Sequence, residues 1–214
     1  MRALAALLIA LVALAPVSAF AEAADPAQDR ALATYASEGG GYSIGYPADW
    51  TLLSRETIQA TLDALAGGAL QVEGIDSPML AAYAEQIAVS DAAMFLSPDG
   101  AISASVVYEA VPAPLSAGDI IDKAYPGILA DLQALLPGYE EVAGAEAQPI
   151  GDREFVGAMG GYEAGGTRYA MVQAYCCIGN AFFTVTFTVD TSVYPDIEAI
   201  YAVSDAMLAS LAAA

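Results

Sequence analysis

The sequence predicts an α+β protein in which a mainly antiparallel sheet carries helices on its faces. Three observations lead there. From Tyr139 onward the chain offers four strand-like stretches, near 139–147, 153–163, 167–177 and 181–189, with glycine-rich turns between the middle ones. Segments with helical spacing precede, interrupt and follow the strands. In the last stretch, Phe183, Val185, Phe187 and Val189 share one face while Phe182, Thr184, Thr186 and Thr188 share the other. The first face is wholly apolar and the second is amphipathic enough to lie partly under a helix. A sheet with helices packed on its faces buries both.

In chain order, residues 22–38 are small, polar and acidic without strong periodicity. They read as an acidic, alanine-rich tether with a short helix around Arg30 to Tyr35. The domain is expected to run from residue 39 to 214. Tyr42, Ile44 and Tyr46 alternate with Ser43 and Gly45 as in a strand, Pro47-Ala48-Asp49 turns the chain, and Trp50 and Leu52 restart a strand. Ser54 caps an expected helix with Ile58, Leu62 and Leu65 on one face, which Gly67-Gly68 ends. Ser77-Pro78 announces a second helix, with Leu80, Tyr83, Ala84 and Ile87 as its stripe.

Met94–Leu96 and Ile102–Tyr108 flank Ser97-Pro98-Asp99-Gly100, a strong hairpin signal. Ser116 then caps a longer helical segment whose stripe is Ile121, Tyr125, Leu129, Leu132 and Leu136, with a kink or split expected at Pro126. Pro137-Gly138 closes it. After the four strands, Tyr194-Pro195 opens a terminal helix with Ile197, Ile200, Tyr201, Ser204, Met207, Leu208 and Leu211 on one side.

Residues 1–21 have the form of a secretory signal peptide: Arg2, an apolar run from Ala3 to Leu14, and small residues at Ala19 and Ala21. The run is too short for a membrane span, which needs roughly 20 apolar residues. An exported protein is expected, periplasmic, envelope-associated or extracellular, with no stable membrane insertion after cleavage. Arg2 would leave with the signal, so five basic residues would face 26 acidic ones. That field disfavours nucleic acid and favours cations or a basic protein partner. The acids are scattered, Glu140-Glu141 being the only adjacent pair, which fits a solvated acidic surface.

The stretch Gly41-Tyr42-Ser43-Ile44-Gly45-Tyr46-Pro47-Ala48-Asp49-Trp50 resembles the opening strand of the PsbP/Mog-like superfamily. Gly179-Asn180-Ala181-Phe182-Phe183-Thr184-Val185-Thr186-Phe187-Thr188, followed by a helix containing Ser204, is similar to the family's final hairpin and helix. The order of elements fits over about residues 41–212. The resemblance implies an α/β/α sandwich with helices on both faces of the sheet. Family members include extrinsic photosystem II subunits, a nuclear Ran-binding protein and exported bacterial proteins, and act mostly by binding partners. No binding motif of the family matches residues here, so the resemblance assigns no site.

Chemistry-bearing residues are sparse. Cys176 and Cys177 are the only cysteines. On a strand they point to opposite faces, which disfavours a disulfide or a shared metal ion and predicts buried, inert thiols. A vicinal disulfide at the hairpin end, and with it a redox protein, is the alternative. There is no histidine, which removes Ser-His-Asp and Cys-His catalysis in their usual forms. Lys123 is the only lysine and is placed for an i,i+4 contact with Asp119. Gly157-Ala158-Met159-Gly160-Gly161 and Gly165-Gly166 lack the context of a phosphate loop and read as bulges or turns. Asp99 is the one carboxylate of its turn, too few for calcium's six to eight oxygens. The expectation is a non-catalytic binding or accessory module without cofactor or metal, acting through a protein partner. A low-affinity divalent-cation binder is the second reading, motivated by the charge.

Overall fold

The computed structural model describes residues 31–37, 39, 41–53, 60, 91–136, 138–164, 166–195 and 197–213. The expected signal segment, residues 22–30 of the expected tether and the helices expected around Ile58–Leu65 (apart from Ala60, which is helical) and Leu80–Ile87 lie outside the described residues. Among those described, the strands are β1 Leu32–Ala36, β2 Tyr42–Pro47, β3 Thr51–Leu53, β4 Asp91–Leu96, β5 Ile102–Ala110, β6 Glu140–Ile150, β7 Arg153–Ala164, β8 Thr167–Ile178, β9 Ala181–Asp190 and β10 Ala212–Ala213. The helices are α1 Ala117–Asp119, a π-helical turn Ile120–Ala124, α2 Tyr125–Leu135 and α3 Glu198–Ser210.

A seven-stranded sheet has the order β3-β4-β5-β9-β8-β7-β6, with every neighbouring pair antiparallel. The expected α+β architecture with helices on both faces is present. On one face, Phe95, Phe155, Phe183 and Phe187 pack with Ile200, Met207 and Leu208 of α3. A second sheet, β1-β2-β10, joins this same core through Tyr42 and Ile44 of β2. The Tyr42 and Phe183 rings meet edge to face at 5.6 Å, and Tyr46 stacks on Phe95 at 4.6 Å. Two contacts fix α3 from its C-terminal end. The Gly45 N–H donates to Ser210 Oγ at 2.7 Å, and Arg153 donates to the Leu211 carbonyl.

On the opposite face, α1, the π turn and α2 lie over two smaller clusters. Leu132 and Leu136 meet Tyr162 and Met171, while Ile120 and Tyr125 meet Val156, Tyr175 and Phe182. The two-sided alternation of β9 therefore reads out as two different interiors.

Two differences from the sequence reading and one refinement of it have physical causes. First, residues 32–36 are a strand, not a helix in a tether, so the folded unit begins before residue 39. β1 pairs with β2 from Leu32↔Pro47 to Ala36↔Ser43. The Tyr35 ring lies 5.9 Å from that of Phe95 and 6.0 Å from that of Tyr42. A partner strand and an aromatic socket outweigh the helix propensity of the alanines, since tertiary contacts override such local preference. Second, Ser116 caps α1 as expected, with Asp119 completing a capping box, and of the kink or split expected at Pro126 it is a split that forms, as a π turn just before the proline. Lacking an N–H, it sits in the first turn of α2 behind the wider π turn, in which the Tyr125 N–H reaches back to the Ile120 carbonyl. The extra residue rotates the stripe, burying Ile120 and leaving Ile121 only half-buried. Third, Gly157, Gly160 and Gly161 are neither bulge nor turn, because β7 pairs with β8 in unbroken register from Val156↔Tyr175 to Ala164↔Thr167.

Candidate functional site

The bulges lie across the ladder, on the outer strand β6. Its register with β7 slips between Glu141 and Ala143 and again between Ala143 and Glu146. The five steps from Glu141 to Glu146 thus face only the three from Gly160 to Gly157. Extra residues in one strand must bow outward. Bulges, Pro149 and three glutamates make β6 a poor template for unlimited strand addition.

The bowing opens a groove of about 430 Å³ between β6, β7 and α3. Alternation places Gly157, Met159 and Val172 on the α3 face of the sheet, where they form its floor. Glu146 and Gln148 stand on the β6 side, and Tyr201 of α3 forms the opposite wall. The Tyr201 hydroxyl donates to the Met159 sulfur at 3.8 Å, and the Tyr201 residue remains 40% exposed. Val142, on the bulge beside the groove, is 63% exposed. No ion pair engages Glu146 among the described residues. The volume is within the about 300–1,000 Å³ of small-ligand clefts, but the lining is about as polar as apolar and the recess is open to solvent.

The glycines make this arrangement possible. A Cβ at Gly157 would lie 2.6 Å from Gln148 Nε2, inside the groove. A Cβ at Gly160, on the other face, would lie 2.4 Å from the Tyr139 hydroxyl oxygen. Glycine within a strand marks a close approach, and here it serves one side chain on each face.

The residues weighed for chemistry are dispersed. Cys176 lies in the α3-face core and Cys177 packs toward the α2 face, so the two thiols diverge as alternation requires. Burial pushes the Cys176 thiol up to about 12, with the Arg153 charge pulling weakly the other way. Cys177 is only half-buried, less enclosed than expected. Burial still raises its pKa, offset in part by a backbone hydrogen bond at Leu115. Neither thiol has the depressed pKa of a reactive cysteine. Lys123 Nζ meets Asp119 Oδ1 at 2.5 Å on the exposed surface, as its spacing predicts.

Asp99 is held as a structural acceptor. It takes hydrogen bonds from Ser97 Oγ at 2.5 Å, from the Ala101 N–H at 3.1 Å and from the Tyr194 hydroxyl. Burial alone would raise its pKa, but these donors together set it below the ordinary carboxylate value. The Glu140-Glu141 pair is split across the sheet, Glu140 toward Arg168 at 3.4 Å and Glu141 accepting from the Tyr125 hydroxyl at 2.5 Å. Among the described residues, no three acidic or cysteine side chains form a group able to hold a metal ion. No described helix is long and apolar enough to cross a membrane.

Sequence reasoning did not locate the groove. Its one visible signal is the run Gly157-Ala158-Met159-Gly160-Gly161, whose glycines would clear a strand surface. The bulges themselves are a relation between two strands and have no local signature.

No protein-family model and no curated protein sequence matches the chain. Solved structures do. A Bacteroides thetaiotaomicron protein shares 16% identity at a TM-score of 0.48, covering 85% of this chain and 48% of its own, so the chain spans about half that protein's length. LpqN, described as involved in cell envelope biogenesis of Mycobacterium tuberculosis, shares 14% identity at a TM-score of 0.38, covering 86% of this chain and 92% of its own. Cyanobacterial PsbP (CyanoP) from Synechocystis shares 13% identity at a TM-score of 0.51, covering 90% of this chain and 98% of its own. At that identity the likeness speaks to architecture alone: the chain has a PsbP-like fold.

Proposed function

We propose that this chain is an exported, non-catalytic binding module of the PsbP/Mog-like superfamily that engages a protein partner at the β6–β7–α3 groove. The groove carries the reading: it is a surface recess with an apolar floor, a half-exposed aromatic wall and a carboxylate with no ion-pair partner among the described residues. Away from the groove, the other groups weighed for chemistry serve local structure. The thiols diverge and are held protonated, and Asp99, Asp119 and Glu141 each serve a local hydrogen-bonded structure. Export rests on the pattern of residues 1–21.

Site-specific photocrosslinking in the source organism tests it. A photoreactive side chain at Val142, beside the groove, should yield an adduct with one defined protein, and the same group at exposed Val193, outside the groove lining, should not. Equal labelling at both positions, or turnover of a small substrate by the purified protein, would remove the reading.

A further inference from the structure

The chemistry of the groove narrows what it can take, on the premise that it is the binding surface. Three features of its lining converge. Met159 and Val172 offer an apolar floor, Tyr201 offers an aromatic wall, and Glu146 offers a negative charge. Glu146 and Gly157 are directly paired across the ladder, so the carboxylate stands on the same side of the sheet as the floor. The surrounding field has the same sign, with 26 acidic residues against six basic ones. An anionic ligand would meet repulsion from both the site and the molecule.

A long cationic side chain fits all three features at once. Its stem is apolar and can lie along Met159 and Val172, as such stems do on apolar surface. Its head can pair with a carboxylate and lie over a tyrosine ring, and a planar guanidinium does both better than an ammonium. The backbone of the ligand is also constrained. β6 ends its sheet, and the Glu141–Glu146 stretch is bowed out of regular register with β7. A short extended segment can therefore lie beside it, while the bulges and Pro149 prevent long pairing.

We infer that the groove binds an arginine within a short extended segment of the partner protein, with the guanidinium at Glu146 and Tyr201 and the stem on Met159 and Val172. Selectivity then comes from one buried stem and one charge pair, and the general acidity of the molecule speeds encounter more than it sets affinity.

Fluorescence anisotropy with a labelled seven-residue peptide, uncharged except for a central arginine, tests this on the purified protein. Replacing that arginine by citrulline, its neutral near-isostere, should weaken binding about five- to tenfold. E146Q should weaken the arginine peptide by a similar factor and leave the citrulline peptide unchanged. E163Q, which removes the same charge from an exposed site outside the groove lining, should change binding by less than about twofold. Tyr201→Leu should weaken the arginine peptide more than the citrulline peptide. Equal losses for E146Q and E163Q would mean that only the overall field attracts the peptide, and would overturn the inference, as would equal binding of the two peptides or no binding of either. If the Val142 adduct persists with its partner while E146Q changes nothing, the partner site stands and the arginine falls. If the adduct itself is absent, both fall.

Discussion

The two faces of the seven-stranded sheet are built by the same strands but do different work. On the α3 face, β9 presents Phe183, Val185, Phe187 and Val189 to one continuous apolar cluster that also takes in the small sheet. On the other face, the alternate residues of β9 are Phe182, Thr184, Thr186 and Thr188, all buried. Ser105, Thr186 and Gln173 are paired in a row across β5, β9 and β8, making a polar belt where the opposite face is apolar. The apolar face fixes the fold by area removed from water; the face with the polar belt also buries two smaller apolar clusters and depends in addition on satisfied hydrogen bonds. The groove lies where the apolar face runs out, beyond α3 and onto the bowed edge strand.

The largest expected effect separates the faces at adjacent residues. Phe187 is fully buried in the α3-face cluster. Phe187→Ala should lower the unfolding free energy by about 3–5 kcal/mol in urea denaturation, through lost burial and the cavity left behind. Thr186→Ala, one residue away on the other face, removes a small side chain and should cost about 1–2 kcal/mol, chiefly by leaving Gln173 Nε2 without its 3.2 Å acceptor. Equal losses would show that the two interiors are not energetically distinct.

A second experiment sharpens what holds the polar face. The Tyr175 hydroxyl donates to Gln173 Oε1 at 2.6 Å, and both groups are buried. Gln173→Met keeps the volume but strands that hydroxyl, and should cost about 1–3 kcal/mol. Adding Tyr175→Phe should return part of the loss, because the orphaned donor is gone. A strictly additive double variant would mean that water already satisfies the hydroxyl.

The contrast between the faces was legible in sequence because alternation is a local property. Phe183 to Val189 against Phe182 to Thr188 distinguishes an apolar side from a mixed one before any partner is known. The hairpin at Ser97–Gly100 and the helix cap at Ser116 are legible for the same reason, since their contacts close within a few residues. What escaped depends on distant partners. β1 exists because β2 and Phe95 receive it, and nothing in Leu32–Ala36 alone demands a strand. The groove depends on a slip between β6 and β7 and on the approach of Tyr201 from a helix more than forty residues later.

The adjacent cysteines report on the two faces by chemistry. Cys176 is 2% exposed in the apolar core, while Cys177 is half-buried on the α2 side. In the native protein at neutral pH, a maleimide should label Cys177 well before Cys176, and denaturation should equalise them. The same burial predicts a pH dependence. Cys176 and Tyr139 are each pushed up to about 12 in the folded state, from ordinary values of 9.0 and 10.0. A raised folded pKa means that the unfolded chain loses its proton first, so stability is fully present below about pH 9 and falls as pH rises toward 12. Cys176→Ala should flatten the beginning of that alkaline decline. Faster labelling of Cys176 would show that the apolar face opens more readily than the polar one.

The smallest expected effect concerns the charge that both faces carry outward. Calcium needs about six to eight oxygens gathered in one place. Among the described residues no three acids gather at one point, and several are spent singly: Asp99 on its hairpin, Asp119 on a helix cap, Glu140 on Arg168, Glu141 on Tyr125 and Asp190 on Ser192. Millimolar calcium should therefore raise Tm no more than sodium chloride of equal ionic strength, since both would only screen repulsion among like charges. A shift specific to calcium would grow with its concentration as ligand binding to the folded state requires, and sodium would not reproduce it. That result would revive the cation-binding reading. It would also make Glu146 a candidate ligand for a metal, in competition with the arginine assigned to it.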